Sequence, residues 1–577
     1  FMKDRFRWAH IFALEERKPV YCVTESGFEF RCSYRLTGMS LAKVGENLRN
    51  YHVKKMVGDL DYSKIRHSGT PLTEEEWGYC VNDVLVVMAH IQECLETEGL
   101  ITRIPLTKTA YVRRLVKKRT IGNTSKPNWN YVNAIKYMTL EPDEYMQLRR
   151  AFQGGFTHAS ILHVKETLHD VDSYDFTSSY PAVMISEEFP CSAGQKVDIH
   201  DEKELETNLT CYCCLFDVTF YDIKAAEIYE NYISVSRTRG GKEMVINNGR
   251  LVAAREITMT ITEQDWLIIK RMYHWEKAAI FNFRRYRKAY LPTEFVETIV
   301  QLYEDKTQLK DVKGKEVEYM AAKANLNSLY GMAVTDIIRD TVFYDSDERE
   351  WGTESPDLDE SIEDYNTKRN RFLFYAWGVW VTAYARANLW SGIVSIGDDY
   401  VYSDTDSIKM LNADRHLDYI EEYNRCITER IRRALQYHGI EFERSNPKTI
   451  EGVPKPIGVW DYEGHYDRFK TLGAKRYLWE KNGKLQLTVA GLGKKDALEY
   501  LQERGDVFEQ FDENMYIPKG HAGKRTHVYI DMPSSGEVSD YLGNVGTFEE
   551  MSSIYLEEAD YSLSMGRQFV DFIFRVR

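Results

Sequence analysis

"VYSDTDSIKM", residues 401–410, sets two aspartates on either side of one threonine inside an otherwise apolar stretch. Val401, Tyr402, Ile408 and Met410 favour extended backbone, and two carboxylates this close repel each other. "DYVYS" and "SIKML" both read as strands, so Asp404, Thr405 and Asp406 fall at or near a hairpin tip. Such a pair is either a solvated turn or the seat of something positive. A tip that points carboxylates the same way suits a divalent cation better than an apolar core does.

A second carboxylate stretch supports the cation. "VDSYDFTSSYPAVM" (171–184) runs strand-like to Asp175 and then turns at "SSYP". Asp170, Asp172 and Asp175 compete, and Asp175 is preferred because it ends the apolar strand just before Tyr180-Pro181. Side by side on one sheet, Asp175 and Asp406 would bridge two Mg²⁺ ions about 3.5–4 Å apart, activating an attacking oxygen and stabilising a leaving one. The third piece is "KANLNSLYG" (323–331), on a helix expected to end at Gly331. Lys323, Asn327 and Tyr330 stand at i, i+4 and i+7 and share one face. Lysine suits a triphosphate and tyrosine a base or sugar; the alternative is a snorkelling lysine beside a packed ring. Lys306, in "LYEDKTQLK", adds a second cation.

The rest of the chain sets the frame. At 577 residues it is long enough for two to four domains. Its 39 tyrosines argue against disorder, and the formal charge of −14 carries no chain-wide basic excess. Cations are local: "YVRRLVKKR" (111–119), "FNFRRYRKAY" (281–290) and "GLGKK" (491–495). Each run reads as a solvated face or as a phosphate contact. Nine cysteines without regular spacing point to a reducing compartment. "CYCC" (211–214) has no second ligand pair for zinc and reads as the start of a strand. No run of about 18 apolar residues is present, so neither a transmembrane helix nor a membrane partner is expected. There is no signal-peptide pattern, and a cytoplasmic location is expected. The chain opens on Phe1 rather than Met, so its natural start is expected upstream.

Along the chain, residues 19–36 read as a β-hairpin. Residues 72–98 read as a helix with Thr73 as N-cap and Glu76 as capping-box partner. "SKPNWNY" is expected as a linker, and "FQGGFTH" (152–158) as a glycine turn before strands. Strands and helices alternate from 210 to 300, where Gly-Gly-Lys in "SRTRGGKEM" lacks the rest of a phosphate-loop motif and is expected at a hairpin turn. One long helix is expected over 299–332, an acidic insertion over 345–370, and helix again over 374–395. Residues from about 455 onward read as a mixed, turn-rich unit, and no internal repeat is visible.

"DFTSSYP", "KANLNSLYG" and "YSDTDS", in that order and about 150 and 80 residues apart, resemble motifs A, B and C of family B DNA polymerases. The closer resemblance is to the protein-primed branch, the compact replicases of tailed bacteriophages. "FQGGFTH" resembles that branch's YxGG linker, "AKRYLWE" its KxY motif, and "GVWVTAYAR" (378–386) the helix before motif C. The likeness covers nearly the whole chain. It implies an α+β right-hand fold of palm, fingers and thumb, with a remnant of an RNase H-like 3′–5′ exonuclease domain. The implied division is exonuclease remnant 1–110, linker 111–165, palm 166–224, first insertion facing a terminal protein 225–292, and fingers helix 293–333. A second, strand-displacing insertion follows over 334–372, palm over 373–480, and thumb with the C-terminal region over 481–577.

Roles follow residue by residue from the same resemblance. Asp175 and Asp406 would hold two Mg²⁺ ions, with Mn²⁺ as a substitute, helped by the Phe176 carbonyl; Asp404 would be a supporting catalytic carboxylate. Tyr180 would sit under the sugar and exclude a 2′-hydroxyl. Lys306 and Lys323 would hold the triphosphate, with Asn327 and Tyr330 at the nascent pair. Gly154, Gly155, Lys475 and Tyr477 would contact DNA. The implied partners are template and primer DNA, dNTPs and a terminal protein that primes synthesis, and the implied state is a monomer.

The exonuclease end departs from the pattern. Tyr79 and Asp83 match that domain's YxxxD motif, and Asp59 stands where another acid is expected. Its DxE motif and its Asn followed by Phe-Asp are missing from residues 1–70, and Val57 stands where a supporting lysine is expected. Two-metal hydrolysis then has too few ligands, so proofreading is expected to be lost, most simply by truncation before Phe1. Two rival functions remain: a polymerase of the same fold that needs no protein primer, and a non-catalytic DNA-binding fragment.

Overall fold

The computed structural model describes residues 6–16, 18–56, 64, 66–67, 69–123, 125–227, 230–313, 315–348, 350–531, 536–548 and 552–576. They form two compact units, one of residues 115–337, 358–523 and 560–577, the other of the remaining segments.

The larger unit is built on a seven-stranded sheet. Its strands are β1 (Thr157–Ala159), β2 (Leu168–Phe176), β3 (Tyr400–Asp404), β4 (Ser407–Met410), β5 (Trp460–Gly473), β6 (Arg476–Lys481) and β7 (Lys484–Val489). The order is β7-β6-β5-β2-β4-β3-β1, and every pairing is antiparallel. β2 is central because Val171, Tyr174 and Phe176 bury their side chains, while the strand between β4 and β5 satisfies its backbone on both edges. The β3–β4 hairpin turns at Thr405, whose φ of 64° is a left-handed value that β-branched residues rarely adopt.

Helices cover this sheet. They are α1 (Ser179–Ser186), α2 (Thr293–Gln308), α3 (Glu316–Ala333), α4 (Tyr375–Ile396) and α5 (Leu417–His438). α4 is buried nearly all round, with Trp377, Trp380 and Trp390 inside, so it reads apolar on every face. α5 buries only Ile420, Tyr423, Ile427, Ile431, Ala434 and Leu435, a stripe at helical spacing, and ends on the left-handed Gly439. A second sheet pairs the 13-residue strands Cys213–Ala225 and Arg250–Thr262, and all nine cysteines are free thiols.

In the smaller unit, a five-stranded sheet joins Trp8–Ala13, Pro19–Thr24 and Glu29–Arg31 to the hairpin Thr341–Asp345/Glu350–Glu354. The helix Glu74–Glu98 begins at Thr73 with the expected capping box to Glu76. The hairpin 338–357, expected inside a polymerase-domain insertion, clusters with this N-terminal sheet.

Three expectations are corrected. The single helix over 299–332 is two helices, because "LKDVKGK" carries no apolar period and Asp311 turns left-handed at φ 60°. "SKPNWNY" is not a linker: Asn128 caps a helix, Trp129–Lys136, through Tyr131 N–H. Gly-Gly-Lys lies within the edge strand Thr238–Lys242, at a register irregularity; the hairpin tip is Asn248-Gly249, with φ 45° and 79°. The turn-rich reading of the residues from about 455 onward also missed that β5 is the longest strand of the main sheet.

Candidate active site

β2 delivers Asp175 and the β3–β4 hairpin delivers Asp406. Ser407 lies directly opposite Asp175, and Phe176 N–H donates to the Asp406 carbonyl at 2.8 Å. Asp175, near the end of β2, and Asp406, in the β3–β4 turn, therefore stand side by side at one end of the sheet. The Phe176 ring stacks on Trp460 at 3.6 Å, which anchors the strand end.

The pair is electrostatically strained. Burial pushes the Asp175 carboxyl far above the usual range, and the charges of Asp406 and Glu463 push it further; Lys409 and Lys323 oppose them. Burial also raises Asp406, with Asp404 adding to it and Lys323 and Lys409 opposing. Two half-buried carboxylates that cannot comfortably ionise together are a donor set that a divalent cation satisfies. No group of three or more ligating side chains occurs among the described residues. The remaining ligands would be the Phe176 carbonyl, water and substrate oxygens, the habit of Mg²⁺ in phosphate chemistry.

Cations and rings line the approach. Lys306 Nζ donates to Ser178 Oγ at 2.9 Å, and burial, then Lys323, hold its ammonium down at about 8. Lys323 and Asn327 are exposed on α3. The Tyr180 and Tyr330 rings meet at 4.3 Å, so the face read from the 3.6 period meets α1 as expected. Burial raises the phenols of both tyrosines.

Asp404 is engaged differently. Lys475 Nζ donates to its two oxygens at 3.2 and 3.0 Å, and Thr157 Oγ1 to Oδ1 at 2.9 Å. Tyr477 packs at a tilt against Tyr402 and stacks on Phe469, half-buried. Gly155 lies so close to the hairpin tip that a Cβ there would come within 2.6 Å of the Thr405 side chain. Buried Arg386 donates to the carbonyls of Gln153 (2.7 Å) and Gly154 (3.3 Å), and pairs with Asp265 at 2.7 Å.

Several of these groups escaped sequence reading. Glu463 accepts from Ser173 Oγ at 2.6 Å and Lys409 Nζ at 3.4 Å and adds to the field on Asp175. Strand alternation in "WDYEGHYD", with Asp461 opposite Asp175, was the available signal. Thr157, Lys409 and Arg386 stand inside stretches that were read, but the contacts to Asp404, Glu463 and Asp265 that give them a role lie 54 or more residues away.

In the smaller unit Tyr79 is buried, with Lys55 Nζ 5.2 Å from its ring centroid, and one oxygen of Asp83 is buried without a hydrogen-bond partner. Asp59 and Val57 lie outside the described residues.

An antiparallel sheet with one acidic residue on a central strand and another in the adjacent hairpin turn, beside a helix bearing lysine and tyrosine, defines the right-hand class of polymerase fold. Residues 23–429 match the family model for DNA polymerase type B, organellar and viral, and the chain belongs to that family. Relatives are the DNA polymerases of Bacillus phage B103 (25% identical over 438 residues, 74% of this chain and 64% of the relative) and Bacillus phage Nf (25% over 453 residues, 76% and 66%). The chain thus spans just under two thirds of the length of these relatives. A crystal structure of phi29 DNA polymerase superposes with a TM-score of 0.62 at 18% identity, covering 96% of this chain and 85% of that one. The same polymerase with primer-template DNA and incoming nucleotide superposes with a TM-score of 0.61 at 17% identity.

Proposed function

We propose that this chain is a DNA-directed DNA polymerase that adds dNTPs to a primer, with synthesis begun on a terminal protein and accompanied by strand displacement. The observation that carries the reading is the Asp175–Asp406 pair at one end of the β2/β4 strands, held in a field that favours a bound cation. Asp175 and Asp406, with the Phe176 carbonyl, would hold Mg²⁺, which supplies charge neutralisation at the attacking and leaving oxygens.

The chain's own groups do the rest. Lys306 and Lys323 offset the charge of a triphosphate, whose phosphates would in turn raise the Lys306 ammonium back toward its ordinary range. Tyr180, braced by Tyr330, offers a rigid ring under the sugar. Lys475 and Tyr477 hold the primer strand. The primer 3′-oxygen attacks the α-phosphate in line; its bond to phosphorus forms as the bond to pyrophosphate breaks, and alignment supplies much of the rate. The phi29 complex with primer-template and nucleotide supports this assignment of partners by fold.

Primer extension with Mg²⁺ and dNTPs tests the reading. Asp406→Ala is expected to lose extension by ~10³-fold or more, about 4 kcal/mol of barrier. Extension equal to the parent's would refute it. Comparing initiation with and without a terminal protein decides the priming mode.

A further inference from the structure

Thr157 follows the two glycines of the YxGG-like stretch but is given no role there; its hydroxyl holds a carboxylate that a DNA-facing lysine also holds. It sits on β1, directly opposite Asp404 on β3, immediately after the glycine loop. Its hydroxyl donates to Asp404 Oδ1 at 2.9 Å, while Thr405 Oγ1 reaches the same oxygen at 3.1 Å. The other approach to this carboxylate is taken by Lys475 Nζ, at 3.0 and 3.2 Å. Lys475 itself is half-exposed and sits at a positive φ of 56°, with its N–H donated to the Tyr402 hydroxyl at 3.1 Å.

Three donors on one carboxylate leave Asp404 poorly placed to bind a metal and well placed to aim a lysine. A lysine stem has several freely rotating bonds, so an exposed ammonium is ordered only by what it touches. Here it touches Asp404. Thr405 cannot replace Thr157 as the brace, because it is the strained tip of the same hairpin and moves with Asp404. Thr157 lies on a different strand, where the neighbouring His158 and Ala159 of β1 pair with Ser403 and Tyr402 of β3.

We propose that Thr157 is a positioning residue: it orients Asp404, which in turn presents the Lys475 ammonium to the primer strand. This rests on the polymerase reading above. It makes Asp404 a second carboxylate of different purpose from Asp406, although only Thr405 separates them.

The test measures primer–template affinity by fluorescence anisotropy with EDTA present, together with kcat and KM for single-nucleotide incorporation with Mg²⁺. Thr157→Val keeps the shape and strand preference but removes the hydroxyl. It is expected to weaken primer–template binding roughly tenfold, to leave KM for the nucleotide unchanged, and to be rescued by Thr157→Ser. In a Lys475→Ala background the same change is expected to add nothing, since the two act as one unit. An equal loss in both backgrounds, or no loss in either, overturns the proposal, as does failure of Thr157→Ser to rescue. If the unsubstituted protein binds primer–template but extends no primer, the polymerase reading falls and this proposal with it.

Discussion

At the scale of single residues, the site is a place where charge is held against its preference. Asp175 and Asp406 are both raised by burial and by neighbouring carboxylates, so at neutral pH without a cation they destabilise the fold that presents them. Asp406→Asn should therefore raise the thermal midpoint in EDTA by about 2–4 °C while abolishing extension. A fall in the midpoint would show that the carboxylate is structural. Tyr180 makes a sharper prediction. Its ring packs on Tyr330 at 4.3 Å, so Tyr180→Val opens space beneath the sugar. Discrimination between dNTP and rNTP is expected to fall by at least ~10-fold, about 1.4 kcal/mol, with dNTP incorporation largely kept; competitive incorporation assays measure it. The aspartates and the Lys323/Tyr330 face were legible in sequence because strand and helix periods place them. Glu463, Lys409 and Thr157 were not, since cross-strand pairing alone brings them in.

At the scale of elements, the structure relies on buried polar seams between layers. Glu263 opens the helix Glu263–Met272 and accepts hydrogen bonds from Cys214 N–H at 2.8 Å and Trp380 Nε1–H at 2.8 and 3.1 Å. It joins the second sheet to α4. Burial pushes its carboxyl from an ordinary 4.5 up to about 7, against those bonds. The folded state therefore holds a proton that the unfolded chain has released, and stability falls as pH rises from about 4.5 through 7. The drop expected from this group is about 3 kcal/mol at ~1.4 kcal/mol per pH unit. Thermal unfolding between pH 5 and 8 should show it, and Glu263→Gln should flatten that part of the profile; parallel profiles would assign the slope elsewhere. Element identity was readable where caps and periods were strong, as at Thr73–Glu76 and in α4. It failed at "LKDVKGK" and "SKPNWNY", where a polar break and an Asn cap are weak local signals.

At the scale of the whole molecule, a chain of net charge −14 is proposed to bind a polyanion. Binding must then depend on where cations lie rather than on their sum. Primer–template affinity should fall steeply with salt, linearly in log–log form, and Lys475→Ala should reduce the slope by about one unit. An unchanged slope would mean that Lys475 meets no phosphate. Among the described residues no helix is long and apolar enough to cross a membrane.

The sequence by itself determined which strands and helices carry the candidate residues, because alternation, helical spacing and three ordered motifs are local properties of the chain. Asp175, Asp406, Lys323 and Tyr330 were singled out on those grounds together with the family resemblance the motifs carry. Only the tertiary structure decided what surrounds them. The order β5-β2-β4-β3-β1 sets residues over 200 apart side by side, and thereby separates Asp406, left in a strained field, from Asp404, tied to Thr157 and Lys475. Register across a sheet is set by the burial of whole faces, and no short stretch of sequence contains it.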